Sequence, residues 1–261
     1  MSVRVIVHAD DFGLHPSLNE GIELAHRDGI VTSASLMPLG SAFEDAVHRI
    51  KSLLHLDLGL HFTLVGVPGK PPTLRSFLSA YGRGQMPSRV LEAELRRQFE
   101  ALNGLPISHL DSHQHLHALP SIMRVVCRFA SQNGIRAIRL PIDGPPHISI
   151  SRERRVQAAA LAAMSRLSRH YLTAYNIQTS DYFSGMAVSG HLTAPVLASY
   201  LTNARDGLTE IVCHPGTDNA ALSQVFDWGY DWQGELNALR SPEAFAALTD
   251  KTITLTNWRG V

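Results

Sequence analysis

Short valine- and isoleucine-rich runs alternate with amphipathic, helix-period segments along this chain. That alternation constrains the fold more than any other feature. The runs are VRVIVHA (3–9), IVTSASLMP (30–38), LDLGLHFTLV (56–65), ISHLDSH (107–113), GIRAIRLP (134–141), LTEIVCHPG (208–216) and KTITLTNW (251–258). Between them, a capping-box pair, Ser17 and Glu20, predicts a helix running to about Gly29. Helices are also predicted over 41–54, 88–103, from near Pro120, and over 152–171, with a Gly/Pro-rich loop after Val65. Strands alternating with helices build a parallel sheet covered by helices, either a (β/α) barrel or a doubly wound sheet.

The polar residues decide between the two. Asp10, Asp11, His61, His113 and His214 each fall at or just beyond the C-terminal end of a strand, on four different strands. In a barrel those ends converge on one mouth, where active sites lie. No GxGxxG follows the first strand and no GxxxxGK[ST] occurs anywhere, so the nucleotide-binding open sheets lose support. The expectation is a distorted or incomplete (β/α) TIM-like barrel, with residues 1–261 forming a single catalytic domain.

Composition narrows the partner. With 44% hydrophobic residues the chain buries a substantial core, and a formal net charge of +0 lacks the basic excess of nucleic-acid or membrane-surface binders. The expected partner is a small molecule. Cys127 and Cys213 stand far apart, outside any CxxC pair, and suit a reducing compartment. MSVRVIVHADDFG lacks the character of a secretory signal, and no run is apolar for long enough to span a bilayer, so the cytoplasm is the expected location. A homodimer is the commonest assembly for such enzymes.

Four stretches carry candidate chemistry. ADDFG ends a buried strand with two adjacent carboxylates, whose mutual repulsion a cation relieves. GLHFTL places His61 inside an apolar strand. HLDSHQHLH puts His109, Asp111, His113, His115 and His117 on alternate positions, so an extended strand turns all five to one face, with a carboxylate available to orient an imidazole. EIVCHPG sets His214 before a forced turn, and Arg139 in RLP occupies the same kind of position, suited to clamping oxygens. Taken singly, each has an ordinary structural explanation: a turn-capping aspartate, or a core histidine bonded to backbone. Together they supply ligands, a spare carboxylate, a spare histidine and an arginine at one rim, the make-up of a catalytic metal site with open positions. Tyr182, Phe183, Trp228, Tyr230 and Trp232 are candidates to stack on a ring.

The sequence resembles the YdjC/ChbG family of carbohydrate deacetylases. ADDFG, NEGI, DGIVTSASLM, GLHFTL, HLDSHQHLH, RLP, CHPG and GEL follow one another along nearly the whole chain. The DD pair and the CHPG histidine also resemble the wider polysaccharide deacetylases, which use a distorted (β/α) barrel. The resemblance implies hydrolysis of the acetyl group from an N-acetylated sugar, such as a chito-oligosaccharide. It implies one divalent metal ion, magnesium or zinc, held by Asp11, His61 and His113. It further implies Asp10 as base and His214 as acid, while Arg139, His115 and His117 are expected at the substrate. One departure is His8, where the family more often has Asn. The competing classes are another metallohydrolase (a phosphoesterase or amidohydrolase) and a non-catalytic sugar-binding protein on the same fold.

Overall fold

A computed structural model describes residues 2–143, 150–250 and 252–261. Eight strands form one sheet: β1 (Val3–Phe12), β2 (Ser33–Leu36), β3 (Asp57–Phe62), β4 (Ile107–Ser112), β5 (Ala137–Ile138), β6 (Tyr182–Ser184), β7 (Gly207–Cys213) and β8 (Thr254–Leu255). The order is β5-β4-β3-β2-β1-β7-β6, with β8 beside β1, and every pairing is parallel. Two isolated parallel bridges, Ala137↔Gln178 and Asp143↔Phe183, connect the β5 and β6 ends of this path. The sheet is therefore a curled, distorted and incomplete (β/α) barrel, as the strand–helix alternation and the polar residues at the strand ends together predict.

Helices cover the outside: α1 (Pro16–Arg27), α2 (Phe43–Ile50), α3 (Leu74–Gly82), α4 (Ser88–Ala101), α5 (Pro120–Gln132), α6 (Arg152–Ala174), α7 (Ala194–Thr202), α8 (Asn219–Val225), α9 (Trp232–Leu239) and α10 (Pro242–Asp250). Their apolar stripes meet the outward residues of the strands. Val5, Val7, Ala9, Ala34, Leu36, Leu58, Leu60, Phe62, Leu110, Ile138, Ile211 and Cys213 all belong to this shell. No helix among the described residues is long and apolar enough to cross a membrane.

The alternate strand positions face inward, and there the chemistry changes along the barrel axis. Ile6, Ala137, Leu208 and Trp258 form a separate apolar plug at the N-terminal end. Asp57 anchors that plug by accepting the Trp258 backbone N–H at 2.8 Å. Above it His8 and His109 meet edge to face, with ring centroids 4.9 Å apart, beside Ser33. Gly59 opposite is required by this layer, because a Cβ there would lie 2.2 Å from His109 Nε2. The next layer towards the mouth holds Asp10, Ser35, His61, Asp111, Arg139 and Glu210, all buried. Strand after strand thus reads apolar outside and polar inside, so the barrel interior is a packed polar stack (period two;).

Several local expectations are corrected. Helix α1 is capped by His15, whose Nδ1 accepts the Ser17 N–H at 3.2 Å, with Pro16 opening the helix. Glu20 takes the Thr217 hydroxyl instead of a capping role. The loop after Val65 contains α3, started by a reciprocal Thr73–Ser76 capping box. β6, Tyr182–Ser184, is only three residues long, too short for a period to be read from sequence. The expected last strand shrinks to Thr254–Leu255, and its first residue, Lys251, lies outside the described residues. Most consequential, β4 ends at Ser112, and residues 113–118 form a 3-10 turn with left-handed Gln114 (φ 55°) and His115 (φ 54°). The five alternating side chains of 109–117 therefore do not share one strand face.

Candidate active site

The mouth of the barrel opens into a cavity of about 880 Å³ whose lining includes Asp10, Asp11, His61, His113, His115 and His214. In a regular strand, the adjacent Asp10 and Asp11 would point to opposite faces. A break in the β1–β2 register between Ala9 and Phe12, with Asp11 at φ 66°, brings both carboxylates to the mouth. Left-handed backbone at a non-glycine residue is costly, and here it coincides with the chemistry.

Asp11 Oδ1 lies 2.9 Å from His113 Nδ1 and 3.2 Å from His61 Nε2. The three residues offer ligand atoms within 4.8 Å of one another, one each from β1, β3 and the turn after β4. His61 is oriented from behind: its Nδ1 is 2.8 Å from Asp111 Oδ1 and 3.0 Å from Ser35 Oγ. That Nδ1–H···carboxylate bond fixes the tautomer and leaves Nε2 free to face Asp11, the arrangement that typifies metal-bound imidazole. Burial works against charge on both partners. Even so, Asp111 and Asp10 raise the His61 imidazole well above the ordinary histidine range, and His113 and His61 hold the Asp11 carboxyl well below the carboxylate range. One carboxylate and two imidazoles, each able to offer a ligand atom toward a common point, form a donor set that suits a divalent cation.

Arg139 is the hub beneath this layer. Its Nη1 and Nη2 make a two-pronged contact with Asp10 at 2.9 and 2.8 Å, Nη1 also reaches Asp111 at 2.8 Å, and Nε bonds Glu210 at 2.8 Å. It is 1% exposed and is absent from the cavity lining, so the expected direct contact with substrate is replaced by a clamp on Asp10. Burial pushes the Glu210 carboxyl up to about 7, despite the neighbouring Arg139. Among the described residues a second group, His8, Asp10 and Asp111, also has metal-ligand spacing. The guanidinium already bonds both carboxylates of that group, and burial and Arg139 hold His8 well below the usual histidine range.

His214, after β7, has Nε2 3.9 Å from Asp10 Oδ2. Its backbone N–H donates a short bond to Glu235, whose other oxygen accepts the Leu192 N–H at 3.2 Å. Of the two remaining histidines, His115 lines the cavity, whereas His117 is fully buried. Both His117 ring nitrogens are engaged, Nδ1 with Ser112 Oγ at 2.6 Å and Nε2 with the Arg139 carbonyl at 2.9 Å. His117 thus braces the turn and Arg139 from below. Of the aromatic candidates, Trp228 and Tyr230 line the cavity, with Trp228 5.6 Å from His113. Phe183 and Trp232 are buried, and Tyr182 lies outside the lining, near Arg205. The residues not singled out from sequence are Ser35, Ser189, Glu210 and Glu235. Glu210 had one signal, a lone acid inside a β-branched strand, and Ser189 had none.

Comparison with known proteins adds the following. The model of the family described as "YdjC-like protein" matches residues 4–250. A chitooligosaccharide deacetylase of Klebsiella pneumoniae (strain 342) is 31% identical over 272 residues, covering 98% of each chain. A carbohydrate deacetylase of Brevibacillus brevis (strain 47) is 30% identical, covering 97% of each. A crystal structure from Enterococcus faecalis V583 superposes with a TM-score of 0.72 at 23% identity, covering 100% of this chain and 99% of that one. That last likeness bears on the fold alone.

Proposed function

This chain belongs to the YdjC-like family, and we propose that it is a single-domain carbohydrate N-deacetylase, hydrolysing the acetamide of an N-acetylated sugar. The observation that carries the reading is the convergence of Asp11, His61 and His113 beside Asp10 and His214 in one cavity. The relatives named for deacetylation of chitooligosaccharides and carbohydrates support the substrate class.

Asp11, His61 and His113 would hold one divalent cation, magnesium or zinc, which when bound supplies Lewis acidity toward an acyl oxygen and acidifies water. The protein's own groups do the rest. Asp10, held by two guanidinium N–H bonds, keeps a fixed direction and takes a proton from the attacking water. The amide C–N bond breaks only if the nitrogen leaves as an amine, so it needs a proton. His214, which lines the same cavity with its Nε2 3.9 Å from Asp10 Oδ2, donates it. Trp228 and Tyr230 offer faces against which a sugar ring stacks.

The deciding experiment incubates the metal-loaded protein with a panel of N-acetylated mono- and oligosaccharides and follows product mass. Loss of one acetyl group with stoichiometric acetate is expected. Retention of every acetyl group, with phosphoester or ring-amide cleavage on a parallel panel, would replace this reading by another metallohydrolase.

A further inference from the structure

Ser189 has no task in the reaction as read above, and Tyr230 only that of a ring face, yet both lie against its proton donor. Ser189 Oγ lies 3.5 Å from His214 Nδ1 and 3.0 Å from Tyr230 OH. The other acidic neighbour on that side, Glu235, keeps its Oε2 3.8 Å from Nδ1, beyond a hydrogen bond, and spends it on the His214 backbone N–H. The carboxylate therefore holds the loop, while the serine hydroxyl is what the ring nitrogen meets. We propose that Ser189, itself set by Tyr230, is the positioning residue that holds the His214 imidazole with Nε2 toward the cavity, an inference that rests on His214 being the proton donor.

The chemistry runs as a chain. In the protonated ring Nδ1–H donates to Ser189 Oγ, and the serine hydroxyl in turn donates a hydrogen bond to the Tyr230 oxygen. The Nε2 proton is left as the one free to transfer to the amine, after which Nδ1–H and its bond to Ser189 remain. A hydrogen bond to the charged imidazolium is stronger than one to the neutral ring, so the serine favours the form that donates. The groups facing His214 are Asp10 from β1, Glu235 from α9 and Tyr230 from the loop before α9. The serine's place is enforced by the next residue. Gly190 sits at φ +80°, a Cβ there would fall 2.1 Å from Tyr230 Cδ1, and its carbonyl accepts the Asp231 N–H at 2.8 Å. The Ser189–Gly190 and Tyr230–Asp231 segments are thus locked face to face.

The test uses Ser189→Ala, Ser189→Thr and Tyr230→Phe in the full-length, metal-loaded protein. Ser189→Ala should lower kcat on an N-acetylated sugar by about 10–100-fold, part of the worth of a positioned acid, with KM nearly unchanged. NMR titration of the His214 ring should show its midpoint moving to lower pH in Ser189→Ala by about half a unit or more, as expected for one lost hydrogen bond. Ser189→Thr should restore both, and Tyr230→Phe should give a smaller shift in the same direction. A titration midpoint in Ser189→Ala equal to wild type, or no rescue by threonine, overturns the proposal. Absence of acetate release by the wild-type protein would overturn the functional reading instead, and the titration decides Ser189's role in either case.

Discussion

Replacing Arg139 by methionine tests the charge architecture of the barrel mouth most directly. The guanidinium is 1% exposed and is the direct hydrogen-bonding partner of Asp10, Asp111 and Glu210, each at 2.8–2.9 Å. Methionine fills similar volume but leaves three carboxyl groups, Asp10, Asp111 and Glu210, buried without their guanidinium. Breaking a buried pair in this way costs about 3–5 kcal/mol, because the surviving charge keeps its desolvation penalty. For a chain of this size each kcal/mol lowers Tm by about 2–4 °C, so a fall of roughly 6–20 °C is expected. Arg139→Lys keeps the charge but lacks the planar fork that bonds Asp10 twice, and should fall between methionine and wild type. Urea and thermal unfolding at pH 7.5, with and without chelator, measure both variants. A methionine variant within 1 kcal/mol of wild type, at unchanged m-value, would mean that solvent already screens these carboxylates, and the argument from the buried clamp would fail.

Four further outcomes follow from the same geometry. Burial holds the His109 and His117 imidazoles down at about 4, against 6.5 for the ordinary residue. The unfolded chain therefore binds more protons between those values, and stability present above pH 6.5 is lost as pH falls to 4, by about 3 kcal/mol per histidine. Urea unfolding at pH 7, 5.5 and 4 should show this slope, and His109→Gln should flatten it; an identical slope in the variant refutes the assignment. Asp10→Asn and His214→Ala should each keep bound metal but lose roughly 10²–10⁴-fold in kcat. On an activated phenyl acetate, whose leaving group needs no proton, His214→Ala alone should recover, and equal losses would remove His214 from the donor role. His113→Ala should abolish metal binding by calorimetry, whereas His117→Ala should retain it and lose stability, since its ring contacts Ser112 and the Arg139 carbonyl. Gly59→Ala should destabilise by about 1–3 kcal/mol, because its Cβ would lie 2.2 Å from His109, and a wild-type Tm would show the His109 ring to be free to move.

How much of this was legible in the amino-acid sequence follows from which interactions are local. Hydrophobic period is local, and it sufficed for the alternation of strands and helices, while the polar residues at the strand ends decided for the barrel over a doubly wound sheet. The placement of Asp10, Asp11, His61, His113 and His214 at strand ends is also local, since strand ends are marked by the turn residues after them. Parallel strands of a barrel then bring those ends together whatever their distance in sequence. What sequence periodicity misjudged was the 109–117 run, where left-handed backbone at Gln114 and His115 ends the strand and separates His115 and His117 from the inner face. That turn is stabilised by contacts from elsewhere: Ser168 bonds the Ala118 carbonyl, and His117 bonds that of Arg139. Arg139 shows the same limit. At a strand end it reads as a substrate clamp, but only the curled sheet reveals that three carboxylates from β1, β4 and β7 surround it in the interior. Ser189 carries no pattern at all, and Glu235, though it lies in the GEL stretch, shows no sign there of bonding the His214 backbone, for both roles arise where the Ser189 loop and α9 meet at the mouth. Backbone periodicity and turn chemistry are written residue by residue along the chain, whereas the partner of a buried charge is chosen by packing, and packing exists only once the strands have curled around it.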